Sequence, residues 1–277
     1  MDSAASDRSI IALDGWLQTP AGLYVRAWEQ ACLDNLTADI FGFNAVQIGM
    51  PQIDALAASR MPNRWLADTR PRPRRTPAQQ PSQQPSQQQS QPQPGPPRQV
   101  AVTLDYAELP FASQSLDLVV LPHVLEFAAE PHQVLREVER VLIPEGRLII
   151  CGFNPASLWG VRQALGRIGA SDYLPRAGEF ISMPRLKDWL KLLNMGASQS
   201  HFGCYAPACR TEKWLHRYAF MDNAGARWWP YLGGVYIVQA IKRVKGMHLI
   251  GPAWSKQTAT TPAVVPVTNK RREQQDG

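Results

Sequence analysis

Three small groups of residues in this chain could do chemistry. The first is His123 with Glu126, just past the apolar run Leu116–Leu121 and Pro122. An imidazole titrates near neutrality, so His123 could act as a general base or orient a substrate, and Glu126 has the same standing. Against this, a lone histidine in a loop is commonly structural. The second group is Gly49 and Asp68. A glycine lets the backbone come close to a ligand because no Cβ intervenes. An acid about twenty residues past a glycine turn is where dinucleotide-type folds place the acceptor for ribose hydroxyls. A strand-end aspartate is also an ordinary cap. The third group is Asp105 with Tyr106, at the end of the run Val100–Leu104. The cysteines, Cys32, Cys151, Cys204 and Cys209, are scattered. Cys204 and Cys209 lack partners at zinc spacing, so they read as ordinary thiols and no metal centre is expected.

These residues need a scaffold, and its centre is legible. Leu116–Leu121 is short, apolar and rich in branched residues, the pattern of a strand covered on both faces. Pro131 opens the next helix, where its missing N–H costs nothing. Val134, Leu135, Val138, Val141 and Leu142 form one apolar stripe on that helix, with Arg136, Glu137, Glu139 and Arg140 on the other side. Pro144, Glu145 and Gly146 end it, and Arg147–Cys151 reads as a second buried strand. Strand, helix, strand at this length is a βαβ unit, so the strands should be parallel with a right-handed crossover.

The rest of the chain extends that unit. Thr19-Pro20 opens a helix to about Thr37, with Leu23, Ala27, Trp28, Gln30 and Ala31 as its partly apolar face. Asn44–Ile48 reads as a strand, Gly49-Met50-Pro51 as a turn, Ile53–Ala58 as a helix and Arg64–Ala67 as a strand closing at Asp68. Beyond Cys151, one helix should begin near Ser157 with Leu158, Val161 and Leu165 inward. Another follows Ser182, a candidate cap, with Leu186, Trp189, Leu190 and Leu193 inward. Gln199–Cys204 and Leu232–Ile241 read as the last strands. Between them, 212–231 is rich in aromatic residues: a substrate lid, an interfacial surface for membrane or partner, or plain packing.

Taken in order, Asp105-x-x-x-Leu109-Pro110-Phe111, Ser115-Leu116-Asp117-Leu118-Val119, His123-Val124-Leu125-Glu126, Leu135-Arg136-Glu137 and Val141-Leu142-x-Pro144-x-Gly146-x-Leu148 resemble the second half of a class I S-adenosylmethionine-dependent methyltransferase. The flavour is that of the type 11-like group acting on small molecules. The likeness is specific over about fifty residues and looser over residues 13–244. It implies one α/β domain: a doubly wound, Rossmann-like, mostly parallel seven-stranded sheet in the order 3-2-1-4-5-7-6, with the last strand antiparallel. It implies S-adenosyl-L-methionine as cofactor, held by Gly49, Asp68, Asp105 and Tyr106, with Leu121, Pro122 and His123 nearby. In the family an acid at the Asp105 position accepts a hydrogen bond from the adenine amino group.

The resemblance breaks at the first loop. The family's acid-x-Gly-x-Gly becomes Gln47-Ile48-Gly49-Met50-Pro51, so the acid is an amide and the second glycine a proline. Proline fixes φ and has no N–H, so the loop must bind differently or not at all. A neutral Gln47 could still accept a hydrogen bond from a ligand ammonium. Two readings therefore stand: a methyltransferase acting on a small molecule, or a catalytically inactive methyltransferase-like binding or scaffold protein. The first needs a crevice open at the sheet's carboxyl rim. Pro51 or a neighbouring side chain filling it, with Asp105 turned away, would sink the first and leave the second.

Composition bounds the rest. A 277-residue chain is long enough for one large α/β domain. No apolar run is long enough to span a bilayer, and the N-terminus has acids where a signal peptide has bases, so a cytoplasmic protein is expected. The net charge of +6 permits anionic partners without indicating nucleic acid. Residues 70–99, rich in Pro, Gln and Ser, read as a disordered insertion and 245–277 as a basic disordered tail, either able to serve in weak docking.

Overall fold

The computed structural model describes residues 13–69, 101–166, 173–174, 178–209 and 211–243. The insertion at 70–99 and the tail at 245–277 lie outside the described residues, as do Val100 and residues 1–12.

Seven strands make one sheet: β1 (Asn44–Ile48), β2 (Asn63–Asp68), β3 (Val102–Thr103), β4 (Leu116–Pro122), β5 (Leu142–Phe153), β6 (Met195–Gly203) and β7 (Val235–Lys242). Their order is β3-β2-β1-β4-β5-β7-β6. β1 to β5 are mutually parallel, and β7 runs antiparallel to both β5 and β6. This is the expected doubly wound sheet with its reversed last strand. The chain reverses its winding direction between β1 and β4, so ligands are expected outside the carboxyl ends there.

The βαβ unit forms for the reasons its sequence gives. β4 is buried along nearly its whole length. The helix that follows, α3 (Pro131–Val141), buries Val134, Leu135, Val138 and Val141 against it. Truncating Leu135 to alanine would cost about 2–5 kcal/mol. The expected turn at Pro144–Gly146 is absorbed instead into the start of β5, as a register shift between Leu116 and Leu118. Glu145 takes a left-handed φ of 61° to make the bend.

Helix α1 (Pro20–Ala38) begins as expected, with the Thr19 side chain accepting from Gly22 N–H. Its inward face differs from the expected one. Leu23 is exposed, and the buried stripe is Ala21, Val25, Glu29, Leu33 and Thr37. The charged residue at its centre hides the period. No helix forms over Ile53–Ala58. Three-residue turns close there instead, Ile53 N–H to Met50 O and Ala57 N–H to Asp54 O among them. The Gln47 side chain claims carbonyls a helix would need. In α4 (Leu158–Gly166), Leu158, Val161 and Leu165 are exposed, while Trp159 and Gln163 turn inward, Trp159 donating to Ala206 O. Helix α5 (Met183–Leu192) buries Met183, Leu186 and Leu190 as its pattern requires, but Ser182 makes no side-chain cap. Helices α6 (Glu212–Arg217) and α7 (Phe220–Trp228) occupy the aromatic segment.

Two apolar layers sandwich the sheet. One face carries α3 and α5, through Val134, Leu135, Leu186 and Leu190. The other carries α1 and the 49–61 loop, through Leu33, Ile53, Leu56 and Met61. A third cluster caps the carboxyl rim: Leu13, Leu17, Val25, Met50, Phe127, Phe153, Trp159 and Tyr173 pack there.

Candidate functional site

The site is built where β1, β2 and β4 end. Gly49 follows β1 with φ of +77°, a conformation that favours glycine. A Cβ on it would stand 3.0 Å from Val124 Cγ2 and 3.2 Å from the Tyr106 hydroxyl oxygen. Asp68 closes β2 and is 6% exposed. Its Oδ1 accepts from Thr69 N–H at 2.8 Å and from the Tyr106 hydroxyl at 3.2 Å. Three of the expected residues, Gly49, Asp68 and Tyr106, therefore meet at one point. A phenol oxygen sits in the crevice between them.

The loop after β1 is locked from within. The buried Gln47 amide donates to Gly49 O and Met50 O, both at 3.1 Å, and to Ile53 O at 2.8 Å. Its carbonyl accepts from Ala55 N–H at 2.9 Å. That carbonyl already accepts one bond from the loop, and the residue is buried, so Gln47 serves the loop first. Met50 follows in a left-handed turn (φ 48°) with its side chain in the rim cluster. The Tyr106 hydroxyl thus stands between Gly49 and Asp68, and Met50 is buried beside them in the rim cluster.

Asp105 is exposed, and its carboxylate accepts from Ala107 N–H at 3.0 Å, fixing a turn. Leu121 and Pro122 are buried in β4, Leu121 within the core on the α3 face, and neither lines open space.

His123 is the largest departure. It is 1% exposed and adopts φ of 54° as the residue before α2 (Val124–Phe127). Both ring nitrogens are occupied: Nε2 lies 2.7 Å from Glu29 Oε1, and Nδ1 lies 2.8 Å from Glu126 Oε2. Glu126 Oε1 accepts from Phe153 N–H at 2.5 Å, and the Phe153 ring packs on the imidazole at 4.3 Å. Burial alone would lower the histidine's pKa. The Glu29 charge and the ring's hydrogen bonds to both carboxylates outweigh it and raise the value to about 10. Burial also raises Glu126, partly offset by His123. A buried imidazole with a carboxylate on each nitrogen has neither nitrogen free to take a proton from a substrate. The general-base role for His123, and the same role for Glu126, give way to a buried ionic tie joining α1, β4 and β5. Glu29 was not among the expected site residues, since it sits mid-stripe in α1.

The cysteines are free thiols, and burial pushes Cys151 and Cys204 up and Cys32 to about 12. Among the described residues, no group of His, Cys, Asp and Glu could hold a metal ion, and no helix is long and apolar enough to cross a membrane.

Comparison with known proteins agrees with this architecture. A family model described as a methyltransferase domain matches residues 77–150. The Escherichia coli K12 protein YafS, itself uncharacterized, is 32% identical over 176 residues, 64% of this chain and 69% of YafS. The chain is thus a relative of YafS that carries a match to the methyltransferase domain family over residues 77–150. A demethylmenaquinone methyltransferase from Mycolicibacterium paratuberculosis is 29% identical over 50% of this chain and 56% of its own length. Among solved structures, the Haloferax volcanii complex between the Trm112 methyltransferase activator and a methyltransferase matches with a TM-score of 0.53 and 16% identity, covering 86% of this chain and 98% of that one. A Thermotoga maritima S-adenosylmethionine-dependent methyltransferase matches with a TM-score of 0.51 and 11% identity, over 80% of this chain and 93% of that one. At such identities these two structures speak to the fold.

The family's cofactor is S-adenosylmethionine. Asp68 and Gly49 fit its adenosyl end: a buried acid and a left-handed glycine stand at the switch point, with a hydroxyl already on the acid. The amino acid end has no counterpart of the family's acid, because Gln47 is spent on its own loop.

Proposed function

We propose that this chain transfers a methyl group to a small molecule, using S-adenosylmethionine held at the rim between β1 and β2. One observation carries the reading: the buried Asp68 carboxylate binds a hydroxyl, that of Tyr106, beside the left-handed Gly49. A ribose hydroxyl offers the same donor to the same acceptor. When bound, the cofactor supplies a methyl carbon made electrophilic by its sulfonium. The chain's residues do the rest. Asp68 exchanges the Tyr106 hydroxyl for those of the ribose. Gly49 admits the approaching group without a Cβ, and Tyr106 moves aside from the crevice. Asp105, on the outer side of the same turn, is the residue the family would use toward adenine. Holding two reactants in line and away from water is the main acceleration such a transfer needs.

A second reading is favoured by a specific observation. The Tyr106 hydroxyl already on Asp68, and a Gln47 amide turned to its own loop, suit a methyltransferase-like protein that binds or scaffolds without catalysis. Calorimetry with S-adenosylmethionine and S-adenosylhomocysteine separates the two. The transferase reading expects micromolar binding by the wild type, lost in Asp68→Ala. Tyr106→Phe, which removes the competing hydroxyl, should bind about fivefold more tightly. No heat and no thermal shift in either the wild type or Tyr106→Phe would leave the scaffold reading standing.

A further inference from the structure

The segment Thr211–Leu232 turns its large side chains outward. Phe220, Trp228, Trp229 and Tyr231 are 65%, 71%, 57% and 73% exposed. Within α6 and α7 only Leu215 and Gly225 are buried. Gly225 seats against Tyr205, where a Cβ would meet the ring at 2.3 Å. Asp222 also points inward: its carboxylate accepts from Tyr205 N–H at 2.9 Å and from the Tyr24 hydroxyl. A few inward anchors thus hold a pair of short helices with their aromatic side chains in water.

The charges on this surface are one-sided. With Asp222 engaged inward, Glu212 is the remaining acid of the segment, against exposed Lys213, Arg217 and Arg227. The Arg217 guanidinium lies 5.5 Å over the Trp214 ring, which stacks on Tyr218 at 6.0 Å. Tryptophan and tyrosine interleaved with cations is the composition of a surface lying in a lipid headgroup layer. A second copy of this chain is a poor occupant, because a two-fold contact through this face would set cations against cations.

We propose that Glu212–Tyr231 docks the protein on an anionic membrane surface. The aromatic rings enter the headgroup region, and Lys213, Arg217 and Arg227 meet lipid phosphates. The inference is independent of whether the rim crevice binds cofactor.

Flotation of the full chain with vesicles tests it, using phosphatidylcholine alone and an equal mixture of phosphatidylcholine and phosphatidylglycerol. Binding is expected to the mixed vesicles and to weaken with salt. The Trp228→Ala, Trp229→Ala double variant should lose about tenfold or more in affinity. Lys213→Ala and Arg217→Ala should each lose about fivefold. All four side chains are exposed, so the variants should keep wild-type circular dichroism. Failure to float with the mixed vesicles overturns the proposal. So does equal binding by the tryptophan variant, which would assign the membrane contact to the basic chain end. Concentration-dependent self-association abolished by the tryptophan variant would give the face to a second copy.

Discussion

Glu29→Gln is the sharpest test of the buried tie. Glu29 and His123 are 0% and 1% exposed and 2.7 Å apart, and Glu126 lies 2.8 Å from the other nitrogen. Removing one member of a buried ion pair costs about 3–5 kcal/mol, because the partner's charge is left uncompensated. Here Glu126 still faces the imidazolium, and glutamine keeps the shape, so the lower end applies. A second route gives a similar size. Raising the histidine pKa from 6.5 to about 10 is worth roughly 4–5 kcal/mol at about 1.4 kcal/mol per unit, shared between two carboxylates. A loss of about 2–3 kcal/mol is therefore expected, read as a lower urea midpoint at neutral pH with an unchanged slope.

The pH profile of the same tie has a fixed sign. The folded protein holds the His123 proton more tightly than the unfolded chain does. Its contribution is therefore complete below pH 6.5 and is lost as pH rises through about 10. Glu126, also raised, acts in the same direction at the acid end of its range. The neighbouring thiols of Cys32 and Cys151 and the Tyr236 phenol are also pushed upward by burial, so they add a decline of the same sign once pH approaches their ordinary values of 9.0 and 10.0, and the His123 step is read below that. Wild-type stability should decline from neutral pH to about pH 8.5, and His123→Gln should flatten that part of the decline. A cost below about 1 kcal/mol for Glu29→Gln, with a pH profile that overlays the wild type, would refute an imidazolium at this position.

Two further substitutions probe the first loop. Gln47→Glu puts the family's acid back, yet it replaces a donor to three carbonyls with a buried carboxylate. A loss of about 3–5 kcal/mol in a denaturant melt is expected, with no gain in cofactor affinity by calorimetry. Gly49→Ala forces a side chain into φ +77° and against Val124 Cγ2 at 3.0 Å. It should cost about 1–2 kcal/mol, and a neutral result in the same melt would contradict the left-handed turn.

The sheet was legible because its strands obey one rule that sequence displays openly. β1 ends where the apolar run Asn44–Ile48 ends, and β4 where Leu121-Pro122 does. Helix α3 announces itself through charges opposite an uninterrupted stripe. The departures share a different cause: a side chain whose partner is distant in sequence. α1 looked weakly amphipathic because its central buried residue is Glu29, whose partner His123 lies 94 residues away. The Ile53–Ala58 segment looked helical because nothing local shows that Gln47 will seize its carbonyls. Leu158, Val161 and Leu165 matched a helical period, but tertiary packing chose Trp159 and Gln163 for the inward face.

The same distinction separates what could be read at the site from what could not. Gly49 and Asp68 were legible, since backbone conformation and strand-end position follow from type and spacing. Tyr106 was placed beside them, but its hydroxyl on Asp68 belongs to a contact across 38 residues. His123 was singled out for its position at the carboxyl end of β4, and that position is where it stands. The catalytic and structural readings of it could not be separated in sequence, because an imidazole's role is set by what its two nitrogens touch. Here both touch carboxylates in a dry interior, and one of those carboxylates comes from a helix that begins far earlier in the chain. A residue type and its address thus specify where a site can be. Whether the residue donates a proton, holds a ligand or pins two elements together depends on partners that the fold brings from elsewhere.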